Sequence, residues 1–211
     1  MKEEDQRKCN QAEKQYSYLN DYSHYKDYII YRLEPEERQG RSFLDLFLTL
    51  WVYKEQGDGA ILEFPISGLC IKKWGTTEER LMDLAKRNTP RLLPARIVSL
   101  SEVMGGARIR RGGKEWDRVY FLTNRTGRFG ASVLAYEGVL KELADRLDAD
   151  LFLVPLSVHQ VLAVAREEGI EPESLLPLPL SDPPSRKEER MPQRVYCYSR
   201  KTGNLELAAK G

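Results

Sequence analysis

Apolar residues follow two periods along this chain, and the changes between those periods mark out its elements. Residues 5–28 are polar and helical in composition, with Tyr18, Tyr22, Tyr25 and Ile29 recurring at helical intervals on one face. Six of the 11 tyrosines lie between Tyr16 and Tyr31. Such a stripe either packs its rings on the domain or forms a partner surface, because tyrosine offers a large contact area at low entropic cost. FLDLFLTLWVYKE (43–55) switches to alternation. Leu44, Leu46, Leu48, Leu50 and Val52 share one face, with Phe43, Asp45, Phe47, Thr49 and Trp51 on the other. Apolar side chains on both faces predict a covered central strand over 43–53. Asp45 is costly to bury alone, so it requires an arginine, lysine or backbone N–H partner. Gly57-Asp58-Gly59 then marks a turn, and AILEFPI returns as a strand over 60–65.

Thr76 with Glu79 reads as a capping box, opening a helix over 77–87 with Leu81, Leu84 and Ala85 inward and Pro90 as its stop. Residues 95–104 return to the sheet and turn. DRVYFLTN and GASVLAY read as a hairpin with strands at 117–123 and 130–135, followed by a helix over 137–147 whose stripe is Val139, Leu140, Leu143, Ala144 and Leu147. DLFLVP and VHQVLAV predict strands at 150–155 and 158–164, divided by Pro155, which has no N–H for a sheet ladder. The proline-rich stretch 175–185 reads as a linker or edge-hugging segment, and RVYCYS as a short closing strand. The fold class is therefore α+β, a mixed, mainly antiparallel sheet with packed helices. Its organisation is a tyrosine-rich helical segment (1–28), a single domain (29–200) and a tail (201–211).

Composition narrows the classes. With 41% hydrophobic and 31% charged residues the 211-residue chain is globular rather than disordered. Cys9, Cys70 and Cys197 are few, odd in number and far apart, and only His24 and His159 accompany them. That excludes a disulfide framework and a structural zinc site, and predicts no metal and no cofactor. The polar N-terminus is no signal peptide, and no apolar run approaches the ~20 residues that span a bilayer, so the expected compartment is the cytoplasm, away from membranes. The net charge of +1 hides segregation: residues 108–128 hold seven basic residues against two acidic ones. Arg108, Arg110, Arg111 and Lys114, bracketed by glycine pairs, form either a solvated hairpin tip or a patch that steers an anionic partner. No glycine pattern of a phosphate loop follows a strand here.

WGTTEERL, AKRNTPRLLP, FLTN with GAS and YEGVLKELADRL, and DLFLVPLSVHQVLAV together resemble an uncharacterised bacterial family of unknown function, common in gut anaerobes, in colinear order over residues 28–200. Two departures stand out. A charged, tyrosine-rich segment takes the place of the family's N-terminal segment ahead of YIIYRL. Pro155-Leu156-Ser157-Val158-His159-Gln160 also stands where the family shows proline, two serines, an aliphatic residue, histidine and glutamate. The resemblance implies a shared fold and no established activity.

Ser157 and His159 are the best catalytic candidates, since i and i+2 on a strand share a face. A serine hydrolase also needs an acid to orient the histidine and donors for an oxyanion, and no GxSxG elbow is present. The competing expectation is that His159 hydrogen-bonds to fix a strand end, with Asn88 and Asn124 capping turns. Glu34, Glu36 and Glu37 read as a solvated turn beside Pro35. The function expected overall is a non-enzymatic binding or regulatory protein with a protein partner, in one form an accessory or inhibitor protein of a phage or mobile element. Its binding residues are Tyr18, Tyr22, Tyr25, Arg108, Arg110, Arg111 and Lys114. Nucleic acid, through the basic segment 108–128, is a second partner class, and a hydrolase using Ser157 and His159 is the alternative function.

Overall fold

The alternating segment after residue 43 builds the first sheet. In a computed structural model, which describes residues 21–35, 40–105, 110–111, 114–115, 118–176 and 189–211, three strands gather around one long central strand. β1 (Ile29–Glu34) is buried along its whole length, β2 (Gly40–Phe43) is short, β3 (Leu46–Glu55) is the centre, and β4 (Ile61–Pro65) returns. β3 carries β1 on one side, and β2 and then β4 on the other. The strand expected at 43–53 is thus interrupted: Phe43 belongs to β2, and Leu44-Asp45 form the turn, with Leu44 at φ 58°. Leu46, Leu48, Leu50 and Val52 face the main core as the alternation requires.

Asp45 is exposed at this turn and not buried, yet it gains an arginine partner. Its carboxylate accepts from Arg194 Nε and from the Tyr196 hydroxyl, each at 2.6 Å, tying this turn to the far sheet. Partial desolvation opposes its ionisation, but the bonds from Tyr196 and Arg194 prevail and hold the Asp45 carboxyl below the usual range. A carboxyl depressed in the fold contributes stability above its unfolded pKa and loses it as pH falls through its folded one. The stability gap between the parent and Asp45→Asn should therefore be full above about pH 4 and close below it. Thermal melts across pH measure this, and a gap that persists into strong acid refutes it.

α1 (Tyr22–Tyr25), capped by Asp21, and a 3-10 turn, Lys26–Tyr28, lead into β1, whereas residues 5–20 of the segment, Tyr18 included, lie outside the described residues. Among the described residues β1 has no strand beyond it. Side chains satisfy its outer edge instead: the Tyr31 and Leu33 amides donate to the hydroxyls of Thr89 and Ser132, both at 3.0 Å.

α2 (Gly68–Lys73) is followed by α3 (Glu78–Leu92). The N-cap of α3 is Thr77, whose hydroxyl accepts from the Arg80 amide, one residue later than the expected capping box. Pro90 does not stop the helix, which runs on to Leu92. So near the end, proline deprives only the Lys86 carbonyl of its partner, and the anchoring of Leu81, Met82, Ala85 and Thr89 outweighs that loss.

The second sheet has six strands in the order β12-β11-β9-β10-β8-β5. They are β5 (Ala95–Ser99), β8 (Val119–Asn124), β9 (Leu151–Ser157), β10 (Gln160–Ala165), β11 (Arg194–Tyr198) and β12 (Leu205–Lys210). A ribbon of β6 (Arg110–Arg111) and β7 (Lys114–Glu115) lies between β5 and β8 in sequence, after the short α4 (Leu100–Val103). The fold is α+β, with two sheets and a ribbon in place of the one sheet expected, and every strand pair among the described residues is antiparallel rather than mixed.

Three further differences have local causes. Gly130–Ala135 form a 3-10 helix instead of a second hairpin arm, and β8 pairs with β5 and β10. The extended path breaks at Phe129, whose φ of 54° is left-handed, and the five consecutive buried residues that follow, Gly130 to Leu134, show no alternation. Pro155 lies inside β9, not between strands. β11 pairs with β9 only from Leu151 to Leu153, so Pro155 sits where one neighbour is absent, next to a register shift opposite Gln160 and Val161. The tail forms β12, paired antiparallel to β11. Residues 177–188 of the proline-rich stretch lie outside the described residues.

The main core joins Leu33, Leu46 and Leu50 of the first sheet to Leu122, Leu151, Val161 and Tyr196 of the second, with Leu140, Leu143 and Ala144 from α5 (Val139–Leu147). Among the described residues no helix is long and apolar enough to cross a membrane.

Candidate functional site

The side chain least suited to its surroundings is Arg32, in the apolar strand β1. Strand alternation turns Arg32 and Glu34 away from the main core, onto the face shared with Thr49, and Arg32 is only 2% exposed. Its guanidinium carbon lies 3.9 Å from the centroid of the Trp51 ring and 3.6 Å from that of Phe129, so the cation is held between two aromatic rings. Nη2 donates to Glu63 at 2.8 Å, and the other oxygen of Glu63 accepts from Arg128 at 3.1 Å. Nε is buried without a hydrogen-bond partner among the described residues. Burial pulls the Arg32 pKa down while Glu63 pulls it back up, and an arginine keeps its charge through such a shift. Beside it the Thr49 hydroxyl accepts from Trp51 Nε1 and donates to Glu34, each at 3.0 Å. Glu34 is therefore buried and hydrogen-bonded, not part of a solvated turn; Glu36 and Glu37 lie outside the described residues.

Phe129 is set over Arg32 by its backbone, which takes φ 54°. Asn124 shapes the approach: its Oδ1 accepts from the Thr126 amide and hydroxyl, and its Nδ2 donates to the Arg128 carbonyl. The Phe129 amide donates to His159 Nδ1 at 3.0 Å, and the two rings meet edge to face at 5.4 Å. With Nδ1 accepting, a neutral imidazole carries its proton on Nε2, 3.6 Å from a Glu189 carboxylate oxygen.

Ser157 closes β9 and His159 sits in the turn before β10, so the two do not share a strand face. The Ser157 hydroxyl accepts from the His159 amide at 3.1 Å, and the His159 carbonyl accepts from the Thr123 hydroxyl at 2.8 Å. No hydrogen bond among the described residues joins the Ser157 hydroxyl to the imidazole. What the arrangement does chemically is position a loop: His159 and Asn124 fix Phe129, and Phe129 closes over Arg32. Asn88 donates to the Lys26 carbonyl and holds the entry to β1.

The tyrosines that are described rest on the domain. Tyr22 lies 5.6 Å from Trp74, and Tyr25 meets Phe64 edge to face at 5.5 Å. Arg108 lies outside the described residues, and Arg110, Arg111 and Lys114 are placed in the ribbon along the backbone. Just ahead of it Val103 and Met104 are 57% and 54% exposed. Sequence reasoning missed Arg32, Glu63, Trp51 and Phe129. The legible signal was a single arginine inside the apolar run IIYRL, since a charge there must be paired or exposed.

A cleft of about 550 Å³ opens elsewhere, lined by Asp150, Phe152, Arg166, Glu171 and Cys197 among others. Burial pushes the Cys197 thiol up, away from the reactive thiolate. Among the described residues no three His, Cys, Asp or Glu side chains converge to hold a metal ion.

No curated protein and no solved structure matches this chain. A family model does, DUF5688, described as a family of unknown function, over residues 2–200. The chain belongs to that family. Because the DUF5688 match begins at residue 2, the tyrosine-rich segment lies within the family's pattern and does not replace part of it.

Proposed function

We propose that this DUF5688 member is a non-enzymatic binding or regulatory protein that meets a macromolecular partner, a protein, through its β6–β7 ribbon. The observation that carries the reading is the juxtaposition at the end of α4. Val103 and Met104, both more than half exposed, directly precede the segment that contains Arg108, Arg110, Arg111 and Lys114. Apolar residues beside arginines are the composition of a protein interface, with methionine and arginine enriched there. Tyr22 and Tyr25, half-buried against Trp74 and Phe64, add a second, pre-ordered contact surface. The hydrolase alternative has less support, because Ser157 and His159 Nδ1 each accept from a backbone amide. The free thiols of Cys70 and Cys197 suit a reducing cytoplasm. An accessory or inhibitor protein of a mobile element is one form such a binder takes.

The test begins with affinity capture from the native host, followed by titration with the purified partner. Changing Arg108, Arg110, Arg111 and Lys114 together to Ala should weaken binding steeply at low salt and little at high salt. Salt shortens the Debye length to ~8 Å at ~0.15 M and should mimic the mutation. Binding indifferent to both leaves the ribbon a solvated tip.

A further inference from the structure

Between Lys72 and Arg96 the chain holds seven basic residues against three acidic ones, and most of them lie on or beside α3. The helix buries Leu81, Met82, Ala85, Asn88 and Thr89, which turns Arg80, Lys86, Arg87 and Arg91 to solvent. At helical pitch, positions 80, 87 and 91 fall within about 40° of one another, with rises of about 10 Å and about 6 Å between them. They form one straight row. Arg91 is steadied in it by donating to the Asp27 carbonyl and to Asn88. Arg96 is exposed just past the helix, and Lys26 is held at the same end by Asn88.

Pairing separates this row from most of the other arginines, although Arg41, Arg146 and Arg190 also form no ion pair among the described residues. Arg118, Arg125, Arg128, Arg166, Arg194 and Arg200 each form an ion pair with a described carboxylate. Arg80, Lys86, Arg87 and Arg96 form none among the described residues, although Glu79 and Asp83 share the helix. Glu79 is engaged at its own helix N-terminus, by its own amide and by Thr77. A protein partner would ask for an apolar centre, yet the exposed large hydrophobics, Leu44, Ile61, Leu69, Val103, Met104 and Leu207, all lie off α3. Exposed guanidinium groups in a line, with no apolar centre, match a phosphate backbone, to which charged and polar side chains bind without reading the bases.

We propose that the outward face of α3 binds the phosphate backbone of nucleic acid without reading its sequence. This surface is separate from the ribbon and stands whether or not the ribbon has a protein partner. The test is fluorescence anisotropy of the full chain with a short, labelled DNA duplex of random sequence, titrated across salt. The parent should bind with affinity that falls linearly on log–log axes. Arg80→Gln with Arg87→Gln should make that slope shallower by about 1.8, at about 0.9 for each lost phosphate contact. Arg80→Lys with Arg87→Lys should keep the parent slope, since a point charge suffices for phosphate. Both double variants should melt with the parent, because neither arginine is buried. A parent that ignores the duplex, a glutamine variant with the parent slope, or stronger binding to phosphatidylserine vesicles or polyglutamate than to the duplex would overturn the proposal. So would loss of duplex binding on changing Arg110, Arg111 and Lys114 alone.

Discussion

Gly130→Ala should destabilise this protein by about 1–3 kcal/mol or more, with a lowered thermal midpoint and an unchanged denaturant slope. An added Cβ at this position falls on the Thr123 hydroxyl, lies 2.5 Å from the His159 carbonyl oxygen and 2.8 Å from the Asn124 amide nitrogen. Two of those three neighbours are backbone, and the third donates to that same His159 carbonyl, so none yields cheaply. The 3-10 helix would have to move away from β8. With it would move Ser132, whose hydroxyl accepts the Leu33 amide on the otherwise unpaired edge of β1. One methyl group therefore disturbs the seam between the two sheets. Gly127→Ala supplies the contrast. Gly127 has φ 69° and nothing within 4 Å of its would-be Cβ, so only the left-handed backbone is penalised, at about 1–2 kcal/mol. If Gly130→Ala melts with the parent, the close packing described for this seam is wrong.

The same seam shows where sequence reading stops. The alternation of Leu46, Leu48, Leu50 and Val52, the turn at Gly57-Asp58-Gly59 and the stripe of α5 depend on local periodicity, and each appears where its period places it. GASVLAY misleads because its small, buried residues answer to tertiary contacts: Gly130 is required by the approach of Thr123 on β8 and of His159 beyond β9. Pro90 and Pro155 each lie within an element that local rules forbid them. Each sits where a missing N–H costs little, in the last turn of α3 and beyond the end of the β11 pairing. β12 was illegible because LELAAK has no strong strand signal, and pairing with β11 supplies its order. Ser157 and His159 were visible as polar residues worth weighing. The partners of His159 were not, because the Phe129 amide and the Thr123 hydroxyl reach it from a loop and a strand far away in sequence.

Arg32→Ala should lower stability by about 2–5 kcal/mol, the range for truncating a large buried side chain to alanine. Where that cost arises can be argued from the partners left behind. Glu63 is about a quarter exposed and keeps its bond to Arg128, so removing Arg32 does not strand it without a cation. The larger loss is the gap between the Trp51 and Phe129 rings, together with the cation–π contacts that filled it. Phe129, held at φ 54° by its bond to His159, cannot follow the vacated space without leaving that bond. Arg32→Met should then recover most of the stability, because a long apolar side chain fills the slot and Nε, already unpaired, loses nothing. Arg32→Lys should fall between the two, as an ammonium lacks the flat face that two rings can sandwich. Chemical denaturation of the three variants, followed by far-UV circular dichroism, measures the order. If Arg32→Met is as unstable as Arg32→Ala, the charge and not the packing holds this site together.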